Sequence, residues 1–326
     1  MHHITANNIN DAYYQAIQLM EKHREVNSSR NGEVYVVGRP VITEIINPQL
    51  RVLSSAARDA NPFFHMMEAL WMLAGKNDLF PGKFASNIYN YSDDGETLNG
   101  AYGHRWRRYW RFDQLKSIIN TLKQDRNSRR AVLTMWDPVS DLDSDSLDLP
   151  CNTHIYFRAD TGVLDMTVCN RSNDIIWGLY GANAVHMSVL QEFVSRATGN
   201  RMGSYYTLSN NWHMYPDKVD LRKLLDEEPY DFYSGNTSFR EVPMFRGDIF
   251  WQDFLEEVEA FIKDAAWGAK SDYSFIRSVA YPMWKVWEAR KDKEEAYKLC
   301  LNILAEDWRE ACSKWILRRV KNGSHS

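Results

Sequence analysis

One segment, "PFFHMMEALWMLAG" at residues 62–75, constrains the fold of this chain more than any other. Almost all of its side chains are apolar, and a helix without a polar face is buried in a core. Gly75 supplies the stop signal at its end. Glu68 is the exception within the run, because burying a carboxylate costs several kcal/mol unless the group is paired or neutral. The sequence therefore predicts a core helix that carries one buried carboxyl group.

Apolar periodicity along the first 245 residues predicts a mixed α/β body. Residues 9–26 have helical spacing, and an alternating strand follows the turn signal Asn31-Gly32. Two paired strands flank the turn at residues 160–162, and a helix with a glycine stop covers residues 184–199. The acidic segment 137–148 is interpreted as a solvated loop.

The pattern changes from about residue 245. Segments 250–270 and 293–320 are charged amphipathic helices. We therefore predict a body at residues 1–245 and a helical C-terminal extension at residues 246–326 that packs on the same domain.

Charge and apolar runs exclude two classes of partner. A net charge of −4 argues against a general nucleic-acid binder, whose phosphate contacts require a basic face. The run "HRWRRYWR" at residues 104–111 could stack on single-stranded nucleic acid, but we interpret it as a strand or helix edge with solvated arginines. No apolar run approaches the roughly 20 residues of a membrane helix, and the N-terminus lacks a signal-peptide pattern. We expect a cytoplasmic protein with no membrane partner.

The four cysteines have different surroundings. No pair has the CxxC spacing of a zinc or redox site, and a reducing cytoplasm disfavours disulfides. Cys300 and Cys312 lie in helical patterns and are interpreted as core residues. Cys151 follows Pro150 just ahead of a strand, where it could be a nucleophile if a cation or hydrogen-bond donors favour its thiolate.

The segment "CNRSNDIIWGLYGAN" at residues 169–183 carries groups suited to a ligand site. Arg171 could provide the cation for Cys151 and bind an anion with its fork of donors. Ser172 adds a hydroxyl donor and Asp174 a carboxylate acceptor. Glycines at 178 and 181 let the backbone approach a planar ring closely.

Two further pairs complete the set of candidates. Arg129 and Arg130 are adjacent just before a strand, and strand neighbours face opposite sides. One chain therefore cannot easily aim both at its own ligand, which makes a site shared between subunits plausible. His213 and Tyr215 alternate onto one side of the extended segment "NNWHMY". Taken singly, each of these residues has an ordinary structural explanation.

Together these motifs resemble the thymidylate synthase family, which includes the nucleotide hydroxymethylases. The resemblance runs from about residue 30 to residue 216 and rests on "EALWMLAG", "GAYGHRW", "SRR", "LPC", "NRSNDIIWG" and "NNWHMY". The local motifs "CNT" and "RSND" are most similar to those of the phage-type deoxynucleotide hydroxymethylases. The implied fold is α/β, a large mixed sheet flanked by helices, with the back of the sheet forming a dimer interface.

The resemblance implies covalent catalysis. Cys151 matches the nucleophile that adds to C6 of a deoxypyrimidine monophosphate, after which C5 attacks the methylene group of 5,10-methylenetetrahydrofolate. Glu68 matches a general acid and base in a water network, and Tyr102 lies on the same proton-handling side. Folate is consumed as a cosubstrate, and the family reaction requires no metal.

The resemblance also assigns binding roles. On the nucleotide side they fall to the phosphate ligands Arg171 and Ser172, a weaker phosphate candidate Arg30, the cross-subunit pair Arg129 and Arg130, the sugar pair His213 and Tyr215, and the base-reading Asn183. On the folate side they fall to Asp174, Gly178 and Ile88. The cross-subunit arginines imply a homodimer.

Three differences from the synthases bear on the product. "GLYGAN" holds one extra residue between Gly178 and Asn183, so either Ala182 or Asn183 occupies the base-reading position. Asn152 follows Cys151 where the synthases have histidine, and Ile88 stands at the position of a synthase tryptophan. The synthase chain ends in a short apolar tail that acts as a lid, whereas this chain ends in a helix and "RRVKNGSHS".

These differences set the order of the functional hypotheses. Water capture gives a hydroxymethyl product, and hydride transfer from tetrahydrofolate gives a methyl product. An asparagine at the base points to dUMP, because an amide presents both a donor and an acceptor to uracil. We therefore predict dUMP 5-hydroxymethylation, with a thymidylate synthase, the same chemistry on dCMP, and an inactive nucleotide-binding paralogue as alternatives.

Overall fold

The apolar segment after Asn61 forms the central helix in the computed structural model, which describes residues 1–29, 32–246 and 250–321. Asn61 caps it by accepting from the backbone N–H groups of Phe63 and Phe64 at 3.1 Å, and a proline occupies its first turn. Every residue of this helix is buried, including Glu68. The predicted core helix with its internal carboxyl group is confirmed.

Ten strands and eleven α-helices make up most of the described chain. The strands are β1 His2–Ala6, β2 Arg24–Ser29, β3 Gly32–Val37, β4 Val41–Ile45, β5 Val132–Thr134, β6 Asn152–Asp160, β7 Val163–Asn170, β8 Asn173–Asp174, β9 Arg201–Ser209 and β10 Trp212–Met214. The helices are α1 Ile9–His23, α2 Pro62–Leu73, α3 Tyr102–Arg107, α4 Gln114–Gln124, α5 Pro138–Asp141, α6 Asn183–Thr198, α7 Leu221–Leu225, α8 Trp251–Lys263, α9 Tyr281–Ala289, α10 Lys293–Cys300 and α11 Glu306–Lys321. Among these described helices none is long and apolar enough to span a bilayer.

The strands form two mixed sheets. The larger has the order β1-β4-β9-β7-β6-β5, in which β1 pairs with β4 and β7 with β9 in parallel, while the other neighbours are antiparallel. The smaller has the order β2-β3-β10-β8. The mixed sheet with flanking helices confirms the predicted α/β class, and the second sheet is an addition that the sequence did not predict.

The hairpin of β6 and β7 is the element that builds the site. Thr161 and Gly162 both have positive φ, 50° and 82°, which fits a tight two-residue turn that follows the twist of the strands. At the opposite end of the hairpin Asn152 pairs with Asn170. This register brings Cys151, which precedes β6, beside Arg171, which follows β7.

The C-terminal extension shares the core of the body. The Phe63 ring on α2 lies 5.6 Å from that of Trp287 on α9 and 5.4 Å from that of Trp315 on α11. Cys300 and Cys312 are fully buried, as predicted for core residues, and burial raises the pKa of the Cys300 thiol to about 11. The segment predicted as one long helix after residue 293 is two helices, because the chain turns between α10 and α11.

The basic-aromatic run at residues 104–111 corrects two predictions. Its arginines are not all solvated, since Arg105 is fully buried on α3 and makes a bidentate pair with Asp141, with N–O distances of 2.5 and 2.8 Å. Arg107 pairs with Glu259 on α8 at 2.9 Å. The acidic segment 137–148 is likewise not a uniformly solvated loop, because Asp141 is buried in the helix α5. These arginines therefore serve the fold, which removes the main support for a nucleic-acid surface.

We expect Asp141→Asn to be strongly destabilising. The substitution leaves the buried guanidinium of Arg105 without its countercharge, and breaking a buried pair in this way costs about 3–5 kcal/mol. Urea denaturation followed by tryptophan fluorescence measures the change in the free energy of unfolding. Asp160→Asn removes the exposed partner of Arg158 and serves as control, with a loss below about 1 kcal/mol. Equal effects of the two substitutions would contradict the role given to Asp141.

Candidate active site

A deep cavity of about 950 Å³ opens between α2, the end of the β6–β7 hairpin and the start of α6. Its volume is in the range of cavities that bind small molecules. The predicted site residues that line it are Glu68, Ile88, Tyr102, Cys151, Ser172, Asp174, Gly178, Asn183 and Tyr215. Tertiary folding thus gathers residues from six separate segments into one cavity.

Arg171 holds the chain that leads into Cys151. Its Nε donates to the carbonyl oxygen of Pro150 at 2.9 Å, and its Nη2 donates to that of Leu149 at 3.1 Å. Its backbone N–H donates to the carbonyl oxygen of Cys151 at 3.0 Å. The guanidinium therefore fixes the loop before the thiol and places a permanent positive charge close to it.

Tyr102 begins helix α3 at the wall next to Cys151. Burial raises the pKa of its hydroxyl well above the usual value, and the charges of Cys151 and Asp148 add to that effect. Hydrogen bonding with the backbone of Cys151 and Asn152 acts in the opposite direction. The phenol is therefore neutral, and its hydroxyl can either donate or accept a hydrogen bond beside the thiol.

Asp174 caps the segment that follows β8. Its Oδ1 accepts from the backbone N–H groups of Ile176 at 2.7 Å and Trp177 at 3.1 Å. Burial raises the pKa of its carboxyl group, and these donors together with His213 and Arg58 offset part of the rise. Oδ1 of Asp174 thus stabilises the start of the following segment, and the residue also lines the cavity.

His213 lies beside Asp174 because β8 and β10 pair in parallel. Burial lowers the pKa of its imidazole, and its Nδ1 lies 2.8 Å from Oδ1 of Asn211. The ring packs edge-on against Tyr215, with centroids 5.3 Å apart. Tyr215 lines the cavity, whereas His213 stands behind it.

The segment that contains "GLYGA" is π-helical over Ile175–Ala182. A π-bulge inserts one residue without disturbing the helix that follows. Gly181 makes this possible with its non-helical φ and ψ of −104° and −110°, and a Cβ there would lie 2.8 Å from the carbonyl oxygen of Ile176. Both Ala182 and Asn183 line the cavity, and a Cβ on Gly178 would lie 3.1 Å from Nδ2 of Asn183. Asn183 therefore presents its amide next to Gly178.

The cavity is also lined by an aromatic ring that sequence reasoning missed. Ile88 lines the cavity from a short 3₁₀ helix, while the neighbouring Tyr89 packs over Gly82, where a Cβ would lie 2.5 Å from the ring. Trp177 lines the cavity with 43% of its surface exposed, and the guanidinium of Arg58 lies 5.0 Å from its ring centre. The tryptophan in the motif "DIIWG" could have indicated this aromatic ring from the sequence.

Two residues with ionisable side chains were also missed by sequence reasoning. Asp148 lines the cavity three residues before Cys151, accepts from the backbone N–H of Gly100 at 2.8 Å, and has its pKa raised by burial. His186 lines it from α6, with Nε2 3.0 Å from Oε2 of Glu68. Asp148 could have been selected from the sequence because it stands in "LDLPC", close to Cys151. The helical pattern around His186 did not indicate a place in the cavity.

Arg129 and Arg130, two predicted phosphate ligands, do not line this cavity, and neither does Arg171. Arg129 and Arg130 are exposed in the turn before β5, at the edge of the larger sheet, rather than in a strand with opposite orientations. Arg30 lies outside the described residues. Among the residues that are described, no group of three or more His, Cys, Asp and Glu side chains is arranged to hold a metal ion.

A mixed α/β fold that gathers a thiol, a buried carboxyl group and an amide around one deep cavity defines the class of protein, a small-molecule enzyme. A family model described as thymidylate synthase matches residues 57–236. The chain belongs to the thymidylate synthase family, as its motifs predicted.

Individual relatives extend this result. The chain is 40% identical to a deoxyuridylate hydroxymethyltransferase of Pseudomonas phage M6, over 97% of this chain and 94% of the relative. It is 34% identical to the deoxyuridylate hydroxymethyltransferase of Bacillus phage SP01, over 71% of this chain and 63% of the relative. It is 31% identical to a thymidylate synthase of Symbiobacterium thermophilum, over 57% of this chain and 72% of the relative. The first alignment includes the C-terminal extension as well as the body.

Proposed function

We propose that this enzyme converts dUMP to 5-hydroxymethyl-dUMP with methylenetetrahydrofolate, through a covalent adduct on Cys151. The observation that carries the proposal is the single cavity that joins Cys151, Glu68 and Asn183, in a chain similar over almost its whole length to a deoxyuridylate hydroxymethyltransferase. Residues 1–245 form the catalytic domain, and residues 246–326 are an extension packed on it.

The chemistry follows from the groups in the cavity. The thiolate of Cys151 adds to C6 of the uracil ring, and C5 forms a bond to the methylene carbon of the folate. Loss of the C5 proton and departure of tetrahydrofolate leave an exocyclic methylene on C5. Water adds to this methylene carbon, and elimination of Cys151 from C6 releases the product. Glu68, Tyr102 and Asp174 line the same cavity as the thiol, and we assign these proton transfers to them.

Substrate binding is assigned to the remaining predicted residues. Arg171, Ser172 and Arg30 bind the nucleotide phosphate, and His213 and Tyr215 bind the sugar hydroxyl. The folate lies against Asp174, Gly178 and Ile88, and the exposed ring of Trp177 adds a face on which it can stack.

A homodimer explains the position of Arg129 and Arg130. Both are exposed at the edge strand of the larger sheet and do not line the cavity of their own chain. Packing two such sheets back to back would carry them to the phosphate site of the partner. The phage origin of the relatives leads us to place the enzyme in the cytoplasm of a host cell.

A thymidylate synthase activity is the second candidate, favoured by the relative in Symbiobacterium thermophilum and by the exposed ring of Trp177 at the cavity. An aromatic wall there could shield the methylene intermediate from water. Activity on dCMP requires Ala182 rather than Asn183 to face the base.

The test incubates the enzyme with methylenetetrahydrofolate and either dUMP or dCMP, followed by mass spectrometry of nucleotide and folate. We expect 5-hydroxymethyl-dUMP with tetrahydrofolate, and little product from dCMP. A methyl product with dihydrofolate would instead identify a synthase. A hydroxymethyl product from dCMP alone would assign the base-reading position to Ala182, and no reaction with either nucleotide would support the inactive paralogue.

A further inference from the structure

His186 is a buried imidazole in the active-site cavity to which neither the motifs nor the steps above assign a role. It lies on α6, three residues after Asn183, so helical spacing puts the two side chains on one face. It is 2% exposed and lines the cavity together with Glu68 and Cys151. Its Nε2 lies 3.0 Å from Oε2 of Glu68, across the contact between α6 and α2.

The imidazole has unused hydrogen-bonding capacity. Among the described residues, neither Nδ1 nor Nε2 has a hydrogen-bond partner with suitable geometry, and the N–H at Nε2 must turn to point at Glu68. A buried polar atom left without a partner costs roughly 1–3 kcal/mol, so such atoms in native proteins are normally satisfied by protein or by ordered water. An apolar side chain would fill this place on α6 without that cost. Both nitrogens are buried against protein atoms, so the turn of the ring that points the N–H at Nε2 to Glu68 must also open Nδ1 to a polar molecule in the cavity that the ring lines.

A second imidazole nearby shows that the placement is specific. His65 is also buried, on α2 three residues before Glu68, but it does not line the active-site cavity. Burial and the charges of Arg58 and His186 lower its pKa well below the usual value. His65 is thus a buried imidazole like His186 and lies close to Glu68 on the same helix, but it does not line the cavity that holds the reacting atoms.

Water is the polar molecule that the proposed reaction requires at this place. In a carboxylate–imidazole pair, the N–H of one ring nitrogen donates to the carboxylate, and the other nitrogen accepts a proton from a nucleophile. Glu68 and Nε2 of His186 can form the first contact, which leaves the lone pair of Nδ1 for a water molecule. Asn152, which follows the nucleophile, cannot act in this way because an amide is not a base at neutral pH.

We propose that His186 binds and activates the water that adds to the exocyclic methylene, an inference that rests on the proposed hydroxymethylation. The water oxygen bonds to the methylene carbon, and the π electrons of that C=C bond move to C5 and the O4 enolate. The proton of the water passes to Nδ1, and Glu68 stabilises the resulting imidazolium. Expulsion of Cys151 from C6 then restores the ring double bond.

The experiment separates the step before water addition from water addition itself. Enzyme in excess is mixed with [5-³H]dUMP and methylenetetrahydrofolate for a single turnover, and both tritium release and 5-hydroxymethyl-dUMP are measured. For His186→Gln we expect tritium release within a few-fold of wild type, whereas hydroxymethyl formation falls by roughly 10²–10⁴-fold. Mass spectrometry of the intact protein should show the methylene adduct on Cys151, and added 2-mercaptoethanol should capture it as a thioether.

His65→Gln is the matched control, and both of its measurements should remain close to wild type. A parallel loss of tritium release and product in His186→Gln would overturn the proposal, as would wild-type rates of both. Should His186→Gln fail to bind dUMP, the same measurements on His186→Asn decide, since that smaller amide keeps a polar side chain at the site. A methyl product from the wild-type enzyme would refute hydroxymethylation itself. If the wild-type enzyme forms 5-hydroxymethyl-dUMP and His186→Gln keeps the wild-type ratio of product formation to tritium release, only the role of His186 is refuted.

Discussion

Replacing Cys151 with serine should abolish 5-hydroxymethylation, with a loss of at least about 10⁴-fold in kcat. A serine hydroxyl keeps the position and the contacts of the loop but is a far weaker nucleophile near neutral pH than a thiolate. Without addition at C6, C5 does not become nucleophilic, so the folate is not consumed either. The measurements are product formation and intact-protein mass after incubation with both substrates, where the covalent nucleotide adduct should be absent.

Cys169→Ser provides a matched control for this experiment. Cys169 lies on β7 of the same hairpin, is half-buried like Cys151, and does not line the cavity. Burial raises the pKa of its thiol, which disfavours the reactive thiolate. We expect this variant to retain activity and the adduct. An active Cys151→Ser variant would exclude the covalent mechanism proposed here.

Replacing Asn183 with aspartate should reverse the preference for the base. The amide can donate to O4 of uracil and accept from its N3–H, whereas cytosine presents an amino donor and an N3 acceptor instead. A mispaired polar group in a site built for hydrogen bonding costs on the order of 10²-fold or more in kcat/KM. We therefore expect kcat/KM for dUMP to fall by about that factor and activity on dCMP to rise. Competition between the two nucleotides in one reaction measures the ratio directly.

The variant Ala182→Ser tests which of two neighbouring residues, Ala182 or Asn183, recognises the base. Ala182 also lines the cavity, and a new hydroxyl there would alter base preference only if this position faced the base. We expect the preference of Ala182→Ser to remain that of wild type. An altered preference in Ala182→Ser beside an unaltered one in Asn183→Asp would assign base recognition to position 182.

Local patterns gave most of the elements correctly. The alternation along β6 and β7 and the turn between them predicted a hairpin, and the apolar run of α2 predicted a buried helix. Nine of the residues that the motifs selected line one cavity, whereas Arg171, His213, Arg129 and Arg130 do not. The predictions of elements succeeded because side-chain periodicity and turn chemistry are properties of consecutive residues.

Predictions that depended on contacts between distant segments were less successful. Arg105 and Arg107 were expected in solvent, but Asp141 and Glu259, which pair with them, lie far along the chain. The second sheet joins β2 and β3 to β8 and β10, and nothing within those short strands identifies the pairing. No glycine or proline separates α10 from α11, so the sequence contained no signal for the split between them.

The sequence by itself determined the family and the core helix with its carboxyl group, and it predicted the chemical groups of the site. Only the tertiary structure decided that His186 faces Glu68, that Trp177 supplies an aromatic wall, and that a π-helical segment precedes Asn183. The physical reason is that periodicity shows which face of a helix is apolar but not which side chain lies opposite it. That choice is made by the packing of α2, α6 and the hairpin around one cavity.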